Sequence, residues 1–221
     1  LSTKKGRNRI KMAINLRAFA FIDQLQKQLV GYISTAAKGF YPIAGQAGLF
    51  IEIAPGIEIN TITDVVLKKA NVRPGALVVE RTYGMLEVHS DSPADVEEAG
   101  RVILEYLGLK ETDRIKPQII ASDIIERTDP YMTVIVNRFR DGSMLLGDET
   151  LYFLEVTPAA YAGYAANEAE KGADIKLIHA SVFGASGKVY ISGTSSDVKA
   201  AKAAAEDALN SLKGIEDKKG K

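Results

Sequence analysis

Apolar and polar residues alternate along this chain in a pattern that predicts seven elements, and the same seven return about 103 residues later. Residues 16–22 (Leu-Arg-Ala-Phe-Ala-Phe-Ile) read as a strand. Asp23 then offers an N-cap, with Gln26 three residues on in a capping-box pattern. Leu25, Leu29, Ile33 and Ala36 share one helical face, and Gly39 supplies a stop. A connection from Tyr41 to Gly48 leads to the strand Leu49–Ile53. Pro55-Gly56 opens a helix with Ile59, Ile62, Val66 and Ala70 on its apolar stripe. Strands at Ala76–Glu80 and Met85–His89 flank the turn Arg81-Thr82-Tyr83-Gly84. Ser92-Pro93 starts a helix through Val96, Ala99, Ile103 and Leu107, closed by Gly108.

The second half keeps this order. A strand at Gln118–Ile125 precedes Asp129-Pro130, an N-cap with proline in the first helical position. That helix runs to Phe139 and breaks at Asp141-Gly142. The strand Leu151–Val156, a helix from Ala159 to Lys171, the strands Lys176–Val182 and Lys188–Ser192, and a helix carrying Val198, Ala201, Ala205, Leu209 and Leu212 complete it. A shift of 103 superposes Phe50 on Phe153, Glu52 on Glu155, Pro55 on Pro158, Lys68 on Lys171, Ala70 on Ala173 and Gly84 on Gly187. Two copies are too few for a solenoid, so the pattern indicates a tandem duplication of a β-α-β-α-β-β-α unit. The fold class is α+β, with helices packed on mainly antiparallel sheets. The domains are expected at 14–110 and 115–214, divided by the charged stretch Lys110–Lys116, each long enough to bury its own core.

Composition removes most enzyme chemistry. The chain has no Cys, which excludes disulfides, thiolate nucleophiles and Cys-ligated metal centres. Two His residues leave little for a metal site, and His89 and His179 read as a surface and a sheet histidine. Lys plus Arg equals Asp plus Glu at 28 each, so no global charge draws the chain to nucleic acid or an anionic membrane. No apolar run is long enough to span a bilayer and no secretory segment is visible, so a cytoplasmic protein is expected. The basic residues within 1–12 and the stretch 216–221 read as solvated tails. No catalytic residues, metal or cofactor are assigned.

The run Leu49–Gly108 resembles the bacterial microcompartment shell domain. The resemblance rests on the strand ending Ile51-Glu52-Ile53, the segment Asp64-Val65-Val66-Leu67-Lys68-Lys69-Ala70-Asn71-Val72, the strand–loop–strand ending at Gly84, and the helix segment Val96–Gly100. The second copy matches through 167–175 (Asn-Glu-Ala-Glu-Lys-Gly-Ala-Asp-Ile). A strand and helix precede the shell-domain core in both halves, at 16–38 and 118–139, which looks like the circularly permuted form of the domain. With Val79–Gly84, Ala54-Pro55-Gly56 and Gly147–Tyr152, the whole is similar to the permuted tandem-domain shell proteins of carboxysomes.

The resemblance implies two ferredoxin-like domains and a non-enzymatic shell role. It implies a homotrimer that mimics a hexagonal tile, that can stack on a second trimer and meets other shell proteins at its edges. In this family the loop between the last two strands lines the central axis, which assigns Glu80, Arg81, Thr82, Tyr83 and Gly84 of one half and Phe183, Gly184, Ala185, Ser186 and Gly187 of the other to a gated pore. Three carboxylates about 7 Å apart repel by about 2 kcal/mol per pair at an effective dielectric near 20, which pairing with Arg81 or outward rotation relieves. Two arrangements of similar energy suit a gate. Arg81 and the glycine-containing loop suit small anionic metabolites such as sugar phosphates. Lys68 and Lys171 match the family's tile-edge lysine. A second reading is a trimeric small-molecule-binding regulatory protein built from duplicated ferredoxin-like domains; it would stay a discrete oligomer with one saturable ligand, where a shell tile forms sheets or stacks.

Overall fold

The computed structural model describes residues 14–36 and 38–217. The basic stretch within 1–12 lies outside the described residues, as does the end of the C-terminal stretch, 218–221. The first half runs β1 (Asn15–Ile22), α1 (Lys27–Ala36), β2 (Ala47–Ala54), α2 (Ile59–Leu67), β3 (Arg73–Glu80), β4 (Tyr83–Ser90) and α3 (Pro93–Leu107). The second runs β5 (Gln118–Ile125), α4 (Pro130–Arg138), β6 (Thr150–Thr157), α5 (Tyr161–Gly172), β7 (Lys176–Ser181), β8 (Gly187–Gly193) and α6 (Ser195–Ser211). Each half forms one antiparallel sheet, ordered β1-β2-β4-β3 and β5-β6-β8-β7.

The duplication extends to irregularities. Ladder shifts occur at Arg17 and at its match Ile120, and again at Gly75 and its match Ile178. Positive φ recurs at Arg81 (54°) and Gly184 (101°), and at Gly45 (95°) and Asp148 (64°). Shared bulges and turns of this kind mark a common ancestral unit more firmly than the sparse identities do.

Strand β2 is apolar almost throughout because it is buried on both faces. Alternate residues point to opposite sides. Leu49, Ile51 and Ile53 meet Ile59, Ile62 and Val66 of α2 and Val96, Ala99 and Ile103 of α3. Each fully buried Leu or Ile contributes roughly 1.5–3 kcal/mol. Phe50 faces the other way and joins a second cluster drawn from both halves, in which Leu29 and Ile33 of α1 and Ala162, Ala165 and Ala166 of α5 share one core. The halves therefore do not bury wholly separate cores.

Helix starts follow the local chemistry in most places. Ser92 and Thr194 accept from the amides of Asp95 and Asp197, and Asp129 caps Tyr131 ahead of Pro130. Gly108 ends α3 at φ 69°. The capping box expected at Asp23 does not form. Helix α1 begins at Lys27, its first amides bond to the other half, and the Asp23 carboxylate binds Lys171 2.6 Å away. Helix α2 also stops at Leu67, short of Ala70.

His89 is not a surface residue. It is buried on β4 beside Glu87, with Nδ1 3.1 Å from a Glu87 carboxylate oxygen. Burial pushes the Glu87 carboxyl above its ordinary value of 4.5, partly offset by His89 and the amides of Gly75 and Ala76. Between 4.5 and that raised value the folded chain holds more protons than the unfolded one, so this group's contribution to stability falls as pH rises through the window. In Glu87→Gln that decline is absent: thermal midpoints measured across the range from acidic to neutral pH should match the parent at the acidic end and exceed it near neutrality.

Candidate functional site

Two features stand out once the repeat is folded: the seam between the halves and the pair of hairpins at one end of it. The seam is built by α5 of the second half lying on the outer face of the first half's sheet. The bulge at Arg17 turns its side chain into this face, where Nε donates to Glu52 Oε1 at 2.6 Å; both residues are buried. Glu52 Oε2 accepts from the Ala160 amide at 3.0 Å, placing a carboxylate at the start of α5, where helix-end amides favour negative charge. At the other end of α5, Asn167 Oδ1 accepts from the Gln26 amide and Glu170 from the amides of Gln28 and Leu29. Gln28 bridges in return, donating to the Ile175 carbonyl at 2.6 Å and accepting from the Leu177 amide at 2.7 Å. The Tyr32 phenol lies beside the Val182 backbone, and burial pushes its pKa up.

The matched faces are bare. Tyr32 is 4 % exposed and its repeat partner Ile135 is 62 % exposed. Arg17 is 4 % exposed and Ile120 54 %. On the donor side Ala160 is fully buried, while Ile57 is 65 % exposed. The first half offers an uncovered α2–β3 face with Ile57, Leu67, Leu77 and Val79, and the second an uncovered β5–α4 face with Ile120, Tyr131, Val134 and Ile135. Large exposed apolar residues gathered on two faces mark interaction surfaces.

The hairpins meet. Glu80 and Tyr83 pair across the β3–β4 turn, with Arg81 and Thr82 exposed. A methyl group in place of a Gly184 hydrogen would stand 3.5 Å from Glu80 Oε2, so the first half's carboxylate lies against the second half's loop. Glu80 and Arg81 form no ion pair with each other among the described residues. Gly84 and Gly187 are glycines for a shared reason: a Cβ would lie 2.2 Å from the carbonyl oxygen of Gly56 or Ala159. Arg81 holds a left-handed φ that costs an L residue roughly 1–2 kcal/mol, whereas its match is Gly184. The Arg17 guanidinium lies 3.8 Å from the Tyr83 ring centroid and ties seam to hairpin. Phe183 and Ser186 are half-buried, Ala185 is exposed, and the Ser186 hydroxyl donates to Glu155.

Lys68 caps the C-terminus of α2, exposed, with Nζ 2.6 Å from Asp64. Lys171 sits at the seam, bound to Asp23 and Glu168. No sequence motif marks Arg17 or Gln28 as a seam residue, and Asn167 and Glu170 stand out only as part of the family-like segment 167–175. Their signal was a mismatch between repeats, since Arg17 stands opposite Ile120, Glu170 opposite Leu67 and Gln28 opposite Tyr131. Among the described residues no group of three or more His, Asp or Glu is placed to hold a metal ion, and no helix is long and apolar enough to cross a membrane.

A duplicated α+β unit with a strand and helix placed before the shell-domain core in each half, and with its two hairpins side by side, defines the class of permuted tandem-domain microcompartment shell proteins. The chain matches the CsoS1D N-terminal domain over residues 16–113 and the BMC domain over 151–218. It is 48 % identical to the carboxysome shell protein CcmP of Synechococcus elongatus, covering 93 % of this chain and 96 % of that one. It is 41 % identical to the carboxysome shell protein CsoS1D of Hydrogenovibrio crunogenus over 90 % and 98 % of the two chains. Among solved structures it is similar to the fused permuted hexameric shell protein MSM0275 from the RMM microcompartment (TM-score 0.88, 46 % identity, 91 % of this chain, 100 % of that one). It is also similar to the double ringed trimeric shell protein MSM0271 from the same microcompartment type (TM-score 0.89, 34 % identity, 92 % and 100 %). The chain belongs to the CcmP and CsoS1D family of tandem-domain shell proteins, structural components rather than enzymes.

Proposed function

We propose that three copies of this chain close into a six-domain ring, a tile of a carboxysome shell, whose central opening passes small anionic metabolites and is gated by Glu80 and Arg81. The observation that carries the ring is the unequal exposure of matched faces. The seam inside the chain uses the first half's β1–α1 face and the second half's α5, and the same contact repeated between chains would cover the β5–α4 face with a neighbour's α2. A heterologous contact of this kind closes into a ring when its rotation allows. Relatives described as a fused permuted hexamer and a double ringed trimer support closure at three chains.

The meeting of Glu80 with the Gly184 loop supports the gate. A ring would bring three such pairs round one axis, with Arg81 and its neighbours providing positive charge for anionic cargo and Thr82, Tyr83, Gly84, Phe183, Ala185, Ser186 and Gly187 forming the walls. Lys171 lies at the rim of the internal seam and Lys68, by the repeat, would lie at the rim of the junction between copies; we assign both a further role at the tile edge, where these rims would meet adjacent tiles. In Glu80→Ala/Arg81→Ala the assembly mass should be unchanged, and particle classification by electron microscopy should find the opening in one wide state, against two states in the parent. A closed state persisting in that double variant would assign gating to other residues.

A further inference from the structure

The first half carries a groove that the second half has filled. Helix α3 sets Val96, Gly100, Leu104 and Gly108 four residues apart, one stripe along the helix. Beside it run Phe19 and Phe21 of the edge strand β1, and the cavity between them, of about 650 Å³, also reaches Leu49 and Leu109. Ser122 and Tyr152 take the places of Phe19 and Leu49 in the second half; with the helix N-caps Ser92 and Thr194 aligned, which shortens the shift to 102, Lys202 and Glu206 take those of Gly100 and Leu104. There the Lys202 alkyl chain occupies the groove. Its ammonium donates to the Ser122 carbonyl at 2.9 Å, lies 5.7 Å from the Tyr152 ring centroid and 3.5 Å from Glu206.

The first half supplies the cation differently. Arg114, from the connection between the halves, donates to the Phe19 carbonyl at 2.7 Å and leaves the apolar space beside α3 open. The rim of that space is acidic on balance: Glu97, Glu105 and Glu111 stand there against Arg101, with Arg101 bound by Glu98 and Glu105 and Glu111 bound by Arg114 at 2.7 Å. Such a rim disfavours carboxylate or phosphate head groups, in contrast to the cargo proposed for the pore.

We propose that this groove is a binding site for a small linear alkylammonium amphiphile, its chain lying along Phe19, Phe21 and Leu104 and its head at Glu97 and Glu105. The alkyl stem of Lys202 shows in covalent form how a linear chain lies in the matched position; the carbonyl that its ammonium meets is held by Arg114 in the first half, so the head of a free ligand turns to the acidic rim. The volume falls in the range of about 300–1,000 Å³ usual for small-molecule sites. Nothing in this assignment depends on the ring.

The test is calorimetric titration of the full chain with butylammonium, octylammonium, octanoate and octanol, below micelle formation, with methyl resonances of Leu49 and Leu104 followed in parallel. Octylammonium should bind saturably, one per chain, and shift those resonances. Each methylene from butyl to octyl should tighten binding by up to about fourfold, from about 0.8 kcal/mol per buried CH₂. Octanoate should bind about fivefold more weakly, the effect of two rim charges at exposed-pair strength. Leu104→Glu, which copies Glu206, should reduce octylammonium affinity at least about tenfold, as a charge then replaces the apolar wall. Glu97→Gln, an exposed change that leaves packing intact, should lower the preference for the cation by about threefold. Binding that never saturates, that is equal for all three head groups, or that survives Leu104→Glu unchanged in a folded chain overturns the assignment.

Discussion

Replacing Tyr131 and Ile135 with glutamate should leave a folded chain that no longer assembles. Tyr131 is 84 % and Ile135 62 % exposed within one chain, so neither carboxylate disturbs the core and the far-ultraviolet spectrum and thermal unfolding of the isolated chain should be nearly unchanged. In the proposed ring both side chains are covered. The internal seam supplies the template: Gln28 lies against Glu170, Ile175 and Leu177, and Tyr32 against Val182, which a shift of 103 maps to Leu67, Val72, Pro74 and Val79 of a neighbour. Loss of two buried apolar groups and desolvation of two charges should cost about 5 kcal/mol per junction, more than a thousandfold in association. Light scattering should then report 23.9 kDa in place of three times that mass. An undiminished trimer would show that this face is not the contact.

The largest effect on stability should come from Arg17→Met. The substitution keeps much of the apolar stem but leaves Glu52 buried without its cation. Removing one partner of a buried pair costs about 3–5 kcal/mol, because the remaining charge keeps its desolvation penalty. At about 2–4 °C per kcal/mol for a chain of this size, the thermal midpoint should fall by roughly 6–20 °C at matched protein concentration. Adding Glu52→Leu should recover most of the loss, since a neutral side chain removes the buried charge and leaves backbone amides at the start of α5, Ala160 first among them, to be met by water or local adjustment. A drop of less than about 1 kcal/mol would mean that water reaches the pair.

Much of this fold is legible in the chain because local chemistry and burial agree there. Strand β2 and its match β6, the helix starts at Ser92 and Asp129-Pro130, and the stop at Gly108 all follow from residues within a few positions of each other. The start of α1 was not legible, because its cap comes from Asn167 and Glu170, more than a hundred residues away. Asp23 looked like an N-cap in sequence, but its carboxylate binds Lys171 across the seam. His89 shows the same limit. Alternation along β4 cannot reveal that α1 and the following loop bury the face that Glu87 and His89 share. The hairpin residues were legible only through family resemblance, since Glu80-Arg81 is chemically ordinary until Gly184 is seen beside the Glu80 carboxylate. The seam could have been read by asking where the repeats disagree in polarity. Arg17 against Ile120 is the clearest such position, a buried ion pair in one half and bare sheet in the other.

Because the chain contains no Cys, engineered cross-links can be placed without background. Within the chain Lys171 meets Asp23 at 2.6 Å, and the repeat maps that contact onto Lys68 of one copy and Glu126 of the next. The most direct measurement is therefore cross-linking of the double variant Lys68→Cys/Glu126→Cys with a short bismaleimide, read by denaturing gel and mass spectrometry. A ladder that ends at three chains, with the thiol introduced at the first position of one copy joined to that at the second position of the next, is the expected result. A single-chain product, or a ladder that runs past three in dilute solution, would contradict the closed ring.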